Sequence, residues 1–241
     1  MPAIINFKKT ALMLMLATTV AACSDNDNST EEVVVDEVEQ IVTPSEFTIT
    51  FRNLTPGQPL SPLSVIAFDD EAPWTLGSPA SVGLEILAES GANEQYLTFE
   101  SAIEAVSAEA GIGPGESTTV VISVDPQDTL NLSFAAMLGN TNDAFTGLSS
   151  VDVSSLAVGD SITRSTPAYD AGTEANTETA DTVPGPAAGG EGYSGIRDDI
   201  NDVIAMHPGI VSNQDGLSTS ALTAAQKFDN PVSRIVITRT Q

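Results

Sequence analysis

The stretch "FTITFRNLTPGQPLSP" (47–62) decides how this chain folds. Apolar and polar side chains alternate in its first seven residues, which places Phe47, Ile49 and Phe51 on one face. A period of two is that of a β-strand with one buried face. The residues that follow hold three prolines and a glycine, which is typical of a loop. The stretch therefore predicts an opening strand and then an irregular connection.

Further segments resemble this strand in length and apolar content, and the same periodicity is clearest in the last of them. Those segments are "LSVIAF" (63–68), "STTVVISV" (117–124), "LNLSFAAML" (130–138), "DVIAMH" (202–207) and "SRIVITR" (233–239).

Two segments have the spacing of short helices. "SPASVGLEILAESG" (78–91) offers serine caps, apolar residues on one face and a glycine stop at Gly91. "FESAIEAVSAEAG" (99–111) has similar spacing and also ends at a glycine. We therefore predict one or two short helices in the connections between strands.

The order of these elements predicts the fold class. The strands are short, they are separated by Gly/Pro-rich loops, and they do not alternate regularly with helices. This pattern favours an all-β fold with minor α content, an antiparallel β-sandwich, over a parallel α/β sheet. The stretch 174–195 is predicted to be a long surface loop.

Charge excludes one class of function. The chain has 241 residues, with 33 acidic and 8 basic ones, and a formal net charge of −25. Residues 1–22 hold Lys8 and Lys9 and no acid, so the charge without them is −27. Such a body repels nucleic acid and anionic lipid and attracts cations. We therefore expect no nucleic-acid partner.

The N-terminal segment predicts a lipoprotein. A short basic region and the apolar run "ALMLMLATTVAA" precede "VAAC", which ends at Cys23, the only cysteine. This is similar to a bacterial lipobox, and it predicts a signal peptide over 1–22 and a lipid on Cys23. Residues 23–46 are acidic and predict a disordered spacer, followed by one domain over 47–241. The expected location is the bacterial cell envelope, with the outer membrane favoured by Ser24, and the lipid as the membrane contact.

One enzyme hypothesis is kept open as an alternative. "VGDSI" (158–162) is similar to the nucleophile block of a hydrolase family, which would make Ser161 the nucleophile of an envelope serine hydrolase. A serine nucleophile needs a base within hydrogen-bond reach, and His207 is the only histidine. The family's second motif lacks its aspartate here, since Ile204 stands three residues before His207. A turn that opens a strand is the favoured interpretation of this segment, and a structural histidine is that of His207.

Five segments in order resemble the spondin domain, named for the N-terminal region of F-spondin. They are "FRNLTPGQPLSP", "GSPASVGLEILAESG", "MLGNTNDAFTGL", "YDAGTEANTE" and "FDNPVSRIVITR", and they run from Phe47 to Arg239. That family is similar to C2 domains, with a calcium site in loops at one end of an antiparallel β-sandwich. Carried over motif by motif, the resemblance implies that Asp143, Asp170 and Glu174 bind a calcium ion. This chain departs from the animal domains because it has no cysteine pair and has Glu174 where an Asp is usual.

The chemistry of these residues agrees with the resemblance. Calcium takes six to eight oxygen ligands at about 2.3–2.6 Å, and Gly172 would let Asp170 and Glu174 converge. The alternative is a solvated acidic loop. The family's association with cell surfaces implies a non-enzymatic binding or adhesion module with an extracellular protein or glycan as ligand. A sulfated polysaccharide is disfavoured by the negative charge.

Two alternatives remain beside this module: the hydrolase and a purely structural envelope protein. A binding module predicts an exposed aromatic patch near the loops, for which Trp74, Tyr169 and Tyr193 are the candidates.

Overall fold

The computed structural model of the chain describes residues 43–241, and within them ten strands form two antiparallel sheets. The predicted all-β class with minor α content is confirmed. The strands are β1 (Ser45–Asn53), β2 (Ser64–Phe68), β3 (Glu104–Ser107), β4 (Ser117–Val124), β5 (Asn131–Met137), β6 (Ala144–Asp152), β7 (Ser161–Thr166), β8 (Ala168–Asp170), β9 (Ala205–Met206) and β10 (Ser233–Arg239).

The four-stranded sheet has the order β4-β1-β10-β7, so the first and last strands of the domain are central neighbours. Phe47, Ile49 and Phe51 are all buried, while Thr50 and Arg52 on the opposite face are exposed, as the alternating pattern predicts. The strand begins at Ser45, two residues before the predicted start at Phe47. The sheet closes the chain on itself, because Ser233 to Arg239 pair with Asn53 to Phe47.

The six-stranded sheet has the order β3-β2-β5-β6-β8-β9 and is covered on both faces. One face packs on the four-stranded sheet and encloses the main core, to which Val65, Leu132 and Phe134 contribute. The other face carries Ile66, Ala135 and other residues of a second core beneath the helix. Because both faces are buried, β2 and β5 are almost continuously apolar rather than alternating.

The predicted first helix is confirmed as α1 (Val82–Ser90). The Ser81 hydroxyl accepts a hydrogen bond from the Leu84 amide at 3.2 Å and caps its N-terminus. Gly91 ends it in the left-handed conformation, with φ of 75°. Leu84 and Leu87 are fully buried against the six-stranded sheet. The helix therefore forms a third layer on the outer face of that sheet.

The predicted helix over 99–111 is wrong. A short 3₁₀ turn spans Tyr96–Thr98, and Glu104–Ser107 form the edge strand β3 paired with β2. Four residues with partly exposed side chains show no clear strand period, and pairing with the apolar strand β2 overrides their helical spacing.

The predicted strand over 202–207 is mostly wrong, since only Ala205–Met206 pair with β8. The residues before them run irregularly, and the Ile204 amide donates to the Ser78 carbonyl. The predicted long loop over 174–195 is confirmed, because it holds no helix or strand. This loop and residues 207–222 share a small core of Val183, Ile210 and Leu222.

The predictions for the N-terminal segment lie outside the described residues. They are the signal peptide over 1–22, the lipid on Cys23 and all but the end of the acidic spacer over 23–46. Within residues 43–241, no helix combines the length and apolar character that crossing a membrane requires.

Candidate functional site

Asp143 lies at one end of the six-stranded sheet. It ends the connection between β5 and β6, and its neighbour Ala144 pairs with Asp170, the last residue of β8. The Ala171 amide donates to the Asp143 carbonyl at 3.2 Å. Adjacent strands therefore bring the first two predicted ligands, Asp143 and Asp170, to the same end of the sheet. We call this end, with Asp143, Asp170 and Glu174, the acid edge.

The segment "DAGTE" folds over Asp143. The Asp170 Oδ1 atom accepts from the Gly172 amide at 2.8 Å, and Gly172 takes a left-handed φ of 74°. This turn aims the amides of Thr173 and Glu174 at the Asp143 Oδ2 atom, at 2.8 and 3.1 Å. The tight turn predicted at Gly172 is thus present, and it joins Asp143 to the Glu174 backbone.

Two carboxylate oxygens at this edge have no hydrogen-bond donor in the part of the chain that the structure describes. Asp143 is 0% exposed and Glu174 is 8% exposed, yet Asp143 Oδ1 and Glu174 Oε2 are buried without a partner. A buried polar atom without a partner is unfavourable by about 1–3 kcal/mol, and more for a charged group. Native proteins keep few such atoms, so these two need a physical account.

The acids also perturb one another's titration. Burial, and next the negative charge of Asp170, raise the pKa of Asp143 to about 7. Burial, followed by the charges of Glu89, Asp143 and Asp198, raises the pKa of Glu174 to about 8. No described cationic side chain lowers the pKa of Asp143 or of Glu174. A cation bound here would meet an unmatched negative charge.

The donor set suits a hard cation. The three predicted ligands offer oxygen atoms alone, and two of those oxygens lack any donor. Asp170 uses both of its oxygens, since its Oδ2 atom accepts from Asn176 Nδ2 at 2.6 Å. Among the described side chains, no three His, Cys, Asp or Glu residues already form a ready-made metal-binding group. Binding would therefore require the carboxylates to turn toward a shared ion.

A fourth acid, which the sequence did not predict, faces the same region. Glu89 of α1 is 0% exposed, and its Oε1 atom is buried without a partner. Its charge contributes to the raised pKa of Glu174. The one available signal is its spacing from Glu85, four residues away on the same helix at the border of the apolar face.

The predicted aromatic patch is only partly present. Trp74 is 5% exposed and packs edge-on against Phe145 and Tyr169, with ring centroids 5.1 and 4.9 Å away. It belongs to the core beneath α1 rather than to the surface, because the loop that carries it folds under the helix. Tyr193 is exposed, and Ile196 and Ile200 on the same loop are even more exposed.

The structure does not bring His207 to Ser161. Ser161 opens β7, as predicted, and its hydroxyl pairs with that of Thr238 at 2.7 Å. The His207 amide donates to Ala168, beyond the other end of β7, which is about 17 Å long. The imidazole packs on Phe228, and its Nδ1 atom accepts from the Gly209 amide at 2.9 Å. Ser161 therefore has no imidazole base.

No model of a known protein family matches this chain, and no curated protein matches it either. The resemblance to the spondin domain and the calcium ligands that it implies therefore stay predictions.

Proposed function

We propose that this chain is a calcium-stabilised, non-enzymatic binding module, displayed on a bacterial envelope by a lipid on Cys23. One observation carries the calcium part of the proposal. Asp143 Oδ1 and Glu174 Oε2 are buried at the same edge of the sheet and have no donor of their own. A bound cation would satisfy both and balance the charge that burial makes unfavourable.

The residues of this edge would divide the work of holding the ion. Asp143, Glu174 and Asp170 would supply carboxylate oxygens, and calcium when bound would supply the positive charge that the site lacks. The amides of Thr173 and Glu174 already hold Asp143 Oδ2 in place. The Asn176 amide and the Gly172 turn fix Asp170 in the same way. Neutral amides of the backbone and of Asn176 thus orient the acids, and they carry no positive charge that would compete with the ion.

The binding face would lie beside this edge. A pocket of about 200 Å³ is lined by Asn142, Glu174, Glu191, Asp198 and Ile196, among others. An acidic pocket with an exposed apolar rim suits a partner that presents both basic and apolar groups. An extracellular protein or a neutral or basic glycan fits this description better than a sulfated polysaccharide does.

The hydrolase alternative has no support from the geometry around Ser161, and a purely structural envelope protein remains the default if no ligand binds. Neither alternative supplies a positive charge for two buried carboxylate oxygens without a donor among the described residues. The calcium module does.

Thermal unfolding in calcium and in a chelator tests the proposal. A ligand that binds only the folded state stabilises it by about 2.7 kcal/mol at a hundredfold excess over Kd, which is about 5–10 °C in Tm for a domain of this size. Magnesium should raise Tm much less, because it demands tighter octahedral geometry. Equal melting temperatures in calcium and chelator would refute the site.

The anchor has its own test. Metabolic labelling with a fatty-acid probe should tag the wild-type chain but not Cys23→Ser. Equal labelling of the two would end the lipoprotein hypothesis and leave the calcium site untouched.

A further inference from the structure

Helix α1 carries two buried glutamates one turn apart, and only one of them has a cation. Glu85 is 3% exposed and accepts from Arg197 Nε at 3.1 Å and Nη2 at 2.7 Å. Glu89 is 0% exposed, and no cationic side chain within residues 43–241 contacts it. Its Oε2 atom accepts from the Ser194 amide at 2.8 Å, while Oε1 has no partner. The two buried glutamates of α1 thus differ in that Arg197 pairs with Glu85, while no described cation pairs with Glu89.

Glu89, whose Oε1 atom has no partner among the described residues, lies near the acid edge. Ser194, whose amide donates to Glu89 Oε2, lines the same pocket as Glu174, and the negative charge of Glu89 contributes to the raised pKa of Glu174. The Glu174 amide in turn donates to Asp143 Oδ2 at 3.1 Å. These contacts connect Glu89, Glu174 and Asp143, and among the described residues no donor reaches one buried oxygen of each.

The other oxygen of Glu89 connects this edge to an exposed segment. Through Ser194 it holds the start of the stretch 194–202, which Arg197 ties to Glu85 and, at 2.7 Å, to Asp202. This stretch carries Ile196 and Ile200, which are 75% and 94% exposed. Glu89 is thus connected by a hydrogen bond to the start of an exposed apolar segment.

We infer that Glu89 is a further acidic ligand of the cation site, and that the ion, by fixing Glu89, also fixes the segment 194–202. This inference rests on the proposed calcium site and adds a residue and a regulatory consequence to it. The cation would join three elements that are distant in sequence: α1, the connection before β6 and the turn after β8. The apolar face beside the pocket, which Arg197 already ties to α1, would then be held more firmly with the ion bound than without it.

Calorimetric titration with calcium chloride tests the first part on the wild type, Glu89→Gln and Glu85→Gln. Fewer anionic ligands weaken a calcium site, so Glu89→Gln should bind at least about tenfold more weakly than the wild type. Glu85 lies one turn away on the same helix and is already paired with Arg197. Glu85→Gln removes the same charge there, and its calcium affinity should stay within about threefold of the wild-type value.

The outcomes separate this inference from the proposed function. If the wild type does not bind calcium, both fail. If the wild type and Glu89→Gln bind with equal affinity, the site stands and Glu89 is not a ligand. Chelator melting curves guard against misfolding: Glu89→Gln removes an unpartnered charge and should melt at or above the wild type. A variant that is unfolded in chelator would overturn the inference, because Glu89 would then be needed for folding without any ion.

Hydrogen exchange tests the second part. Calcium should slow exchange of the amides of 194–202 about tenfold in the wild type and leave them unchanged in Glu89→Gln. The capped 3₁₀ turn at Asn213–Asp215 lies in a different loop and serves as the internal reference. Exchange over 194–202 that ignores calcium in the wild type, or slows equally in Glu89→Gln, would overturn the coupling.

Discussion

Two buried polar clusters in this molecule differ in how their hydrogen bonds are balanced. Around Asn53, the side-chain Nδ2 donates to the Gln58 and Ile112 carbonyls, and Oδ1 accepts from the Thr55 amide and hydroxyl at 2.9 and 2.8 Å. Around Asp143, two amides and one hydroxyl all converge on Oδ2, and Oδ1 has none.

The difference lies in the supply of donors. An amide side chain both donates and accepts, so the Asn53 cluster closes on itself and stabilises the loop after β1 without outside help. Ionised carboxylates only accept, and the acid edge brings Asp143, Glu174 and Glu89 together with fewer donors than oxygens. The first cluster is complete as folded, whereas the second is complete only with a cation or with protons.

The largest expected effect breaks the complete cluster. Asn53→Ala removes four hydrogen bonds and leaves the buried Thr55 amide without its acceptor, so we expect a loss of about 3 kcal/mol in the free energy of unfolding. Urea unfolding should show the same loss in calcium and in chelator. Thr50→Ala, at an exposed position of the same strand, should change stability by less than about 1 kcal/mol. If the loss of unfolding free energy in Asn53→Ala depended on calcium, the Asn53 cluster would not be independent of the ion, contrary to this comparison.

The next effect sharpens the contrast at the acid edge. Asp143→Asn keeps an oxygen that accepts from Thr173 and Glu174 but removes the charge, so the stabilisation by calcium, about 2.7 kcal/mol at a hundredfold excess over Kd, should disappear. In chelator above pH 7, where Asp143 is ionised, the variant should be as stable as the wild type or more so, because a buried unpaired charge is gone. Asp128→Asn removes the same charge from an exposed loop and should retain the full calcium response. An unchanged response in Asp143→Asn would exclude Asp143 as a ligand.

The sequence could predict the strands that bury one face better than the edge strand β3. The strands β1 and β10 each bury one face, so the period of two in "FTITFRN" and "SRIVITR" is a direct consequence of the structure. The strand β3 has no such face, and its residues are set by pairing with β2, a non-local contact that spacing within 99–111 cannot express.

The candidate site was predictable in the same uneven way. Asp170 and Gly172 form a turn within three residues, so its shape could be predicted locally, whereas Asp143 meets Thr173 across thirty residues and was assigned only through the resemblance. Glu89 was missed because its burial depends on the distant segment 194–202 crossing α1, where an acid is ordinarily expected to be solvated. Trp74 was predicted as a surface candidate for the same reason, since only the layer formed by α1 makes it core.

A smaller effect tests the turn that holds the acid edge together. Gly172 has a left-handed φ of 74°, and a Cβ there would approach the Val203 carbonyl oxygen to 2.5 Å and the amide nitrogen to 2.6 Å. Gly172→Ala should therefore destabilise the domain by about 2 kcal/mol and reduce the calcium response. Gly77 has a similar φ of 84° with nothing within 4 Å, so Gly77→Ala should lose about 1 kcal/mol and keep the response. Equal losses in the two variants would show that the contact with Val203 is unimportant.

The smallest effect concerns Glu178, a buried carboxylate. Its Oε1 atom accepts from the Val211 amide at 3.1 Å, so its hydrogen bonding is intermediate between that of Asn53 and that of Asp143. Burial raises its pKa from 4.5 to about 7, and the hydrogen bond from Val211 opposes this. Between these values the folded state holds a proton that the unfolded state has released, so this contribution to stability is present at pH 4.5 and lost as the pH rises to about 7. Glu178→Gln keeps the acceptor for Val211 and cannot ionise. It should match the wild type near pH 4.5 and exceed it by on the order of 1 kcal/mol at pH 8, measured by urea unfolding in chelator. Asp143 and Glu174 titrate in both proteins and cancel in the difference. A difference that does not change with pH would mean that a single amide donor is enough to keep Glu178 ionised, and that buried acids in this loop need no cation.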